Sequence, residues 1–370
     1  MNPGPRSTEP LRPPRVTVLM AVYNGAAYLR QSVESILAQS FRDFEFLIIN
    51  DGSIDDSRAI LASYDDSRIC IIENATNMGL TKSLNRGLAN ARGGLIARQD
   101  ADDVSDPTRL EKQIAFMDAH VGVALLGAQA RYINEQGAPR NSRLWWKATT
   151  PESMRFQFLF DSPFVHTSVM FRRAIIWDTL GGYNETYRMS QDFELWSRLL
   201  ESHEARNLPD ILVNQRSHSA AMSANRSHTN AHRVARVFQS NLNTVLGANH
   251  GYQHWPALWV RVTHSKSTDP LSSAEVFGTI NAIYNSFPKR GLPAGTRAEI
   301  RLLRSSILLL AARLCAQHGR IRAVGAALRA ALACPSLAIG ELHRAFVTVL
   351  IRQAPSLGRA SITNSKFFGR

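Results

Sequence analysis

No stretch of this 370-residue chain is apolar for long enough to cross a bilayer. The run at 16–23 is far too short, and the next one, at 307–312, is cut off by Arg313. The first run also lacks a small-residue cleavage site, so a signal peptide is not expected. Cysteine is scarce: Cys70, Cys315 and Cys334 are widely spaced and form neither a metal motif nor a disulfide framework, which suits a reducing compartment. Cys70 lies in an apolar strand pattern and is expected in the core. A glycine-rich phosphate loop is missing after the first strand, where AVYNGAAYL stands; that argues against a dinucleotide-dependent dehydrogenase and against a nucleotidyltransferase. Acidic residues are almost absent from the C-terminal end. From Lys289 onward about fourteen basic residues face two acidic ones, so this segment carries roughly +12. The whole chain carries +13, and an anionic partner is expected. Aromatics are also few there (Phe346, Phe367, Phe368). Nucleic-acid modules usually interleave aromatics with basic residues, so an anionic membrane surface fits this segment better than nucleic acid.

What the chain does have is a hydrophobic content of 44% and a charged content of 20%, those of a globular protein. Its length suits one large domain with an appendage, or two domains. A Pro-rich segment, 1–14, reads as disordered. From residue 16 the pattern alternates. Apolar runs at 16–24, 44–50, 68–74, 94–99 and 123–133 read as strands, and helical stripes fall between them, such as Leu29, Val33, Ile36 and Leu37. Strands alternating with helices predict an α/β fold with a mostly parallel sheet. The second part is less regular. Residues 143–147, with Trp145 and Trp146, suggest a strand, 151–160 a helix, 165–173 a strand, 191–204 a helix and 211–218 a last strand. Only helices are expected from Ala231 on.

The most informative stretch is 94–106, GLIARQDADDVSD. An apolar lead-in runs into Asp100, Asp102 and Asp103. Carboxylates this close repel and raise one another's pKa, and a divalent cation relieves that repulsion. Mg²⁺ is typically held by one or two carboxylates and by substrate phosphates. The alternative is a polar loop leading to a helix, with Asp106 as cap and Pro107 in the first turn. Two more polar clusters, Tyr23-Asn24 and 50–53, fall at strand C-terminal ends, the edge where parallel sheets bind ligands.

Six ordered pieces resemble the family 2 glycosyltransferases, which have the GT-A fold: VTVLMAVYNGAAYLRQSVESILAQSF, FEFLIINDGSIDDS, NMGLTKSLNRGLANARG, IARQDADD, HTSVMFRR and SQDFELWSRL. They span about residues 15–218 and stop before the C-terminal helices. The resemblance implies a catalytic domain at 15–224 followed by a basic helical region at 225–370. It implies that Ala21, Val22 and Tyr23 line the base and ribose, and that Asp51 reads a pyrimidine ring. Asp100 and Ala101 would lie near the ribose, and Asp102 would bind Mn²⁺ or Mg²⁺ bridging the two phosphates. Asp103 is the weaker ligand candidate. Arg98 either helps hold the diphosphate or pairs with an aspartate. His166 and His218 match positions often occupied by His, with His218 a candidate metal ligand. Asp192 matches the catalytic aspartate. Gln191 stands where many members have Glu, and Glu194 is turned about 200° away along the helix, so neither adds a second working carboxylate. The implied activity is inverting transfer of a sugar from a UDP- or dTDP-sugar to a saccharide or lipid-linked saccharide in cell-surface polysaccharide or glycolipid synthesis. The expected location is cytoplasmic; the basic C-terminal segment is expected either to dock on the inner membrane face or to pack as a helical cap on the catalytic domain. The alternatives are a nucleotidyltransferase and a non-enzymatic nucleotide-sugar-binding protein.

Overall fold

The computed structural model describes residues 12–140, 147–219, 231–264 and 273–317. Most of the segment 1–14, the ribbon expected around Trp145 and Trp146, the boundary near 224, and the tail beyond 317 lie outside the described residues.

The first half is built from β1 (Val16–Val22), α1 (Ala26–Leu37), β2 (Phe44–Asn50), α2 (Ser57–Ala62), β3 (Ile69–Glu73), α3 (Leu80–Asn90), β4 (Leu95–Asp100), β5 (Val104–Ser105), α4 (Arg109–Ala119) and β6 (Val123–Ile133). α5 (Pro151–Gln157), β7 (Met170–Arg172), α6 (Gln191–Ser202) and β8 (Glu204–Arg216) follow. The eight strands form one sheet in the order β3-β2-β1-β4-β7-β6-β8-β5. β1 to β4 are mutually parallel, whereas β7 runs antiparallel to β4 and β6. β1 is buried along its whole length because both sheet faces are covered. Val16, Val18 and Met20 meet α1 and α4 through Leu29, Val33 and Ile114. Leu19 and Ala21 point the other way, towards Leu84 and Leu88 of α3. Gly87 lets α3 approach that closely, since a Cβ there would lie 2.2 Å from Leu19 Cδ1.

Local chemistry explains where the observed elements differ from those expected. Residues 165–173 do not form one strand. His166–Ser168 is a 3₁₀ turn, because Ser168 Oγ donates to Val165 O (2.8 Å) and Thr167 Oγ1 accepts from Asp100 N (3.1 Å). β8 starts seven residues before Ile211. Its polar first half and Pro209 hide it, and the pairing skips from Leu208 to Ile211 at a bulge. Asp106 does not cap α4. Its carboxylate accepts from Thr108 N (2.9 Å), and the helix begins at Arg109. Cys70 is exposed, not in the core, because β3 is an edge strand.

The C-terminal helices are α7 (Ala231–Leu246), α8 (Trp255–His264), α9 (Ser273–Ser286) and α10 (Ala294–Gln317). They extend the core that begins under α3. Phe238 packs on Phe193 of α6 (4.9 Å), the stacked Trp255 and Trp259 pack on Phe160, and Phe287 packs edge-on to Phe156. Ile300, Leu303, Ile307 and Leu308 close the same core. Glu299 accepts from Thr149 N (2.8 Å) and from the hydroxyls of Thr149 and Ser153, tying α10 to the start of α5. No helix among the described residues is long and apolar enough to cross a membrane.

Candidate active site

Three strand ends, the start of α6 and the end of β8 bring the polar clusters to one edge of the sheet. The chain leaves β1 through Asn24, at φ 50°, whose Oδ1 accepts from Ile54 N (2.9 Å) while its own N–H donates to Ser53 Oγ (3.0 Å). Asn tolerates this left-handed backbone better than most residues. The loops after β1 and β2 are thus stitched together. Gly52, at φ 70°, has no room for a side chain, since a Cβ would lie 2.6 Å from the Thr76 backbone.

Asp51 sits at the bottom of this corner, 3% exposed. Its carboxylate accepts from Asn74 Nδ2 (2.6 Å), Met78 N (2.9 Å) and Gly79 N (2.8 Å). A carboxylate has about four acceptor positions, so little capacity is left beyond these three. Ala21 and Val22 are buried in the sheet, and only Tyr23 opens widely to solvent. Ile54 and Met78 are exposed beside it: Ile54 is held by Asn24, and Met78 by Asp51. These two apolar rim residues escaped the sequence reading. No periodicity marks them, because they stand on loops.

β4 delivers the aspartates. Arg98 is fully buried, and its guanidinium pairs with Asp100. Asp102 keeps 31% of its side chain exposed, and its Oδ2 lies 2.8 Å from His218 Nε2. Burial and the neighbouring Asp100 push its pKa up, against the opposing effect of His218. Ala101, between them, is half-buried. Asp103 turns inward, 2% exposed, and accepts from Arg216 N (2.7 Å). Burial, then Asp102 and Asp100, push it well above the usual carboxylate range. It holds β8 rather than facing the cleft. Arg216 also donates to Asp102 O (2.9 Å) and lies over the Tyr28 ring (4.5 Å), against which His218 packs (4.9 Å). Beneath the turn, Gln99 Nε2 donates to Asp103 O (2.9 Å), and its Oε1 accepts from Ser105 Oγ (2.7 Å) and from the buried Arg109 (3.1 Å).

Asp192 lies in the first turn of α6 and is partly exposed. Its carboxylate has no hydrogen-bond partner among the described residues. Ser190 does not cap the helix; it sits at φ 59°, a strained value that turns the chain into α6. Gln191 is 4% exposed, with no partner for Oε1 among the described residues. Glu194 is spent on Arg198 (2.9 Å). His166 bonds the Tyr183 hydroxyl (2.9 Å). Its pKa is lowered by burial and by Arg98, and is raised in part by Asp192 and Asp100. Burial likewise raises the Tyr183 phenol. Arg98, Asp100 and Asp192 therefore all lie near enough to the His166–Tyr183 pair to act on its charge.

No group of three or more His, Cys, Asp or Glu side chains forms a metal site among the described residues. Asp102 and His218 do fit a divalent cation that takes its other ligands from phosphate and water.

A mixed sheet flanked by helices, with these clusters on its edge, is an architecture of GT-A type. Residues 17–180 match the family model "Glycosyl transferase family 2". EpsE of Bacillus subtilis, which bears the name of a glycosyltransferase, is 37% identical over 214 residues, 56% of this chain and 75% of its own. The amylovoran biosynthesis glycosyltransferase AmsE of Erwinia amylovora is 32% identical over 215 residues, 57% and 79% of the two chains. This chain belongs to glycosyl transferase family 2. In fold it is similar to S. aureus TarS 1–349, solved in complex with UDP-GlcNAc, with a TM-score of 0.52 and 16% identity over 82% of this chain and 83% of that one.

Proposed function

We propose that this glycosyltransferase moves a sugar, with inversion, from a UDP- or dTDP-sugar to a hydroxyl of a saccharide or lipid-linked saccharide, in the synthesis of a cell-surface polysaccharide or glycolipid. The observation that carries this reading is the shared edge. It joins the Asp51 corner, an Asp102–His218 pair suited to a diphosphate-bound cation, and an Asp192 carboxylate with no hydrogen-bond partner among the described residues. Amylovoran biosynthesis, named for AmsE, supports the polysaccharide context.

Tyr23, Ile54 and Met78 offer apolar surface to the base, and Asp51 accepts from its ring N–H. Asp102 and His218 would hold Mn²⁺ or Mg²⁺, which when bound supplies Lewis-acid stabilisation of the departing diphosphate. Asp100, neutralised by Arg98, lies on the ribose side together with Ala101. Asp192 takes the proton of the acceptor hydroxyl as its oxygen attacks the anomeric carbon. The bond from that carbon to the diphosphate oxygen breaks, and its electron pair leaves with the nucleotide. One displacement inverts the centre. Asp192 suits the role because no hydrogen bond from the described residues occupies it. A screen of UDP-, dTDP- and GDP-sugars for metal-dependent release of nucleotide tests the donor class; preference for a purine nucleotide would overturn it.

The division into a catalytic part, 15–224, and a basic helical part, 225–370, goes with a further proposal: peripheral docking on the inner membrane face from the cytoplasm. α10 turns Ile300, Leu303, Ile307 and Leu308 inward and leaves Arg297 and Arg301 exposed, with Arg290 just before it. Such a face supports electrostatic contact rather than insertion, at about 1 kcal/mol per basic residue near an anionic surface. Co-sedimentation with anionic vesicles, weakened by salt, is the expected result; equal binding to neutral vesicles would contradict it.

A further inference from the structure

We propose that Asn85 and Thr81 are positioning residues which hold the loop that delivers Asp192 in register with the nucleotide-binding end of α3. The two stand one helical turn apart, on one face of α3. The Asn85 amide, 8% exposed, clamps Tyr183 from both sides of its backbone: Nδ2 donates to Tyr183 O (2.8 Å), and Oδ1 accepts from Tyr183 N (2.8 Å). Nδ2 also reaches Glu185 Oε1 (3.1 Å). Thr81 Oγ1 donates to Tyr187 O (2.7 Å). The loop backbone comes close enough that a Cβ on Gly182, at φ 75°, would lie 2.7 Å from Asn85 Oδ1.

From the other side Arg198 of α6 donates to Leu180 O (2.6 Å) and Gly182 O (2.8 Å). The loop is therefore held between α3 and α6, and it ends at strained Ser190, directly before Gln191 and Asp192. The N-terminal end of α3, one turn before Asn85 and next to Thr81, is fixed by Asp51, which accepts from Met78 N and Gly79 N as the chain enters the helix. One rigid helix thus joins the carboxylate at the nucleotide corner to the loop of the general base. Asn85 and Thr81 are buried and act only through the loop.

The inference rests on the reading of Asp51 as the nucleotide contact, and the test separates the two. Amide hydrogen exchange is followed in the full-length protein with and without UDP and Mn²⁺. In the unsubstituted protein, UDP with Mn²⁺ slows exchange at 74–80 and, through α3, at 183–192 by about five-fold or more. In Asn85→Ala the protection at 74–80 remains and that at 183–192 is lost. Thr81→Val loses part of it, and Thr81→Ser, which keeps the hydroxyl, restores it. If 74–80 is protected but 183–192 responds alike in Asn85→Ala and the unsubstituted protein, the positioning role is wrong while the nucleotide site stands. If 183–192 never responds in the unsubstituted protein, the link through α3 is likewise wrong. If neither UDP nor dTDP protects 74–80, the reading of Asp51 falls, and this inference falls with it. Should Asn85→Ala fail to fold, the Thr81 pair decides: equal protection at 183–192 in Thr81→Val and Thr81→Ser contradicts the proposal.

Discussion

Asp102 Oδ2 and His218 Nε2 lie 2.8 Å apart, although 116 residues separate them in the chain. Arg216 enforces the meeting by donating to Asp102 O (2.9 Å), while its backbone N–H bonds Asp103. The end of β8 is thereby pinned to the aspartate turn. If the pair holds a cation, both side chains contribute to its affinity. His218→Ala is expected to weaken Mn²⁺ binding in the presence of UDP by at least about 10–100-fold, and Asp102→Ala by more. Calorimetry with and without EDTA checks this; unchanged Mn²⁺ affinity in both variants would move the metal elsewhere.

His166 gives a pH dependence of stability. Burial and Arg98 lower its pKa in the fold below the ordinary 6.5. As pH falls below about 6.5, the unfolded chain takes up the proton before the folded one does. The stability is therefore fully present above about 6.5 and is lost as pH drops towards the folded pKa. His250 is shifted the same way, so the contribution is read as a difference. Thermal unfolding of the unsubstituted protein should lose more between pH 6.5 and 5 than that of His166→Gln; identical pH profiles would contradict a neutral His166.

α10 offers a direct choice between a core role and a lipid-facing one. Leu308 is fully buried against the rest of the core. Leu308→Ala is expected to cost about 2–5 kcal/mol and to lower the melting temperature by several degrees. An unchanged melting temperature together with weakened vesicle binding would assign the residue to lipid.

Asp51 serves both the loop and the nucleotide. Asp51→Ala leaves Met78 N and Gly79 N without their acceptor, at about 1–3 kcal/mol for each buried group that finds no substitute. UDP affinity and melting temperature should therefore fall together; loss of affinity at full stability would mean that the three internal bonds matter little.

The parallel half of the fold was legible because β1, β2 and β4 are buried nearly throughout and read as mostly apolar runs, interrupted by Thr17, Glu45 and the polar end of β4. Asp51, Asp102 and Asp192 were singled out by the resemblance to the family 2 glycosyltransferases and not by periodicity; each stands beside the end of a strand or the start of a helix. β7 and β8 were harder. Thr167 and Ser168 spend their hydroxyls on backbone groups, and the start of β8 is polar and carries Pro209. Cys70 misled because an apolar run does not reveal an edge strand. Arg98 could not be resolved from sequence, since facing Asp100 and facing a phosphate demand the same side of the strand. The anchoring of the Tyr183 loop by Asn85, and the pairing of Asp102 with His218, depend on contacts across about a hundred residues, which no local pattern encodes.

The measurement closest to the centre of the mechanism is a comparison of Asp192→Asn with the unsubstituted enzyme, in nucleotide binding and in turnover. The amide keeps the shape of the carboxylate but cannot take a proton. Affinity for UDP with Mn²⁺, by calorimetry, should stay within about two-fold, and transfer from the donor identified in the nucleotide-sugar screen should fall by about 10²–10⁴. Near-normal turnover in Asp192→Asn would contradict the assignment of the base and transfer the role to another group, with His166 the next candidate.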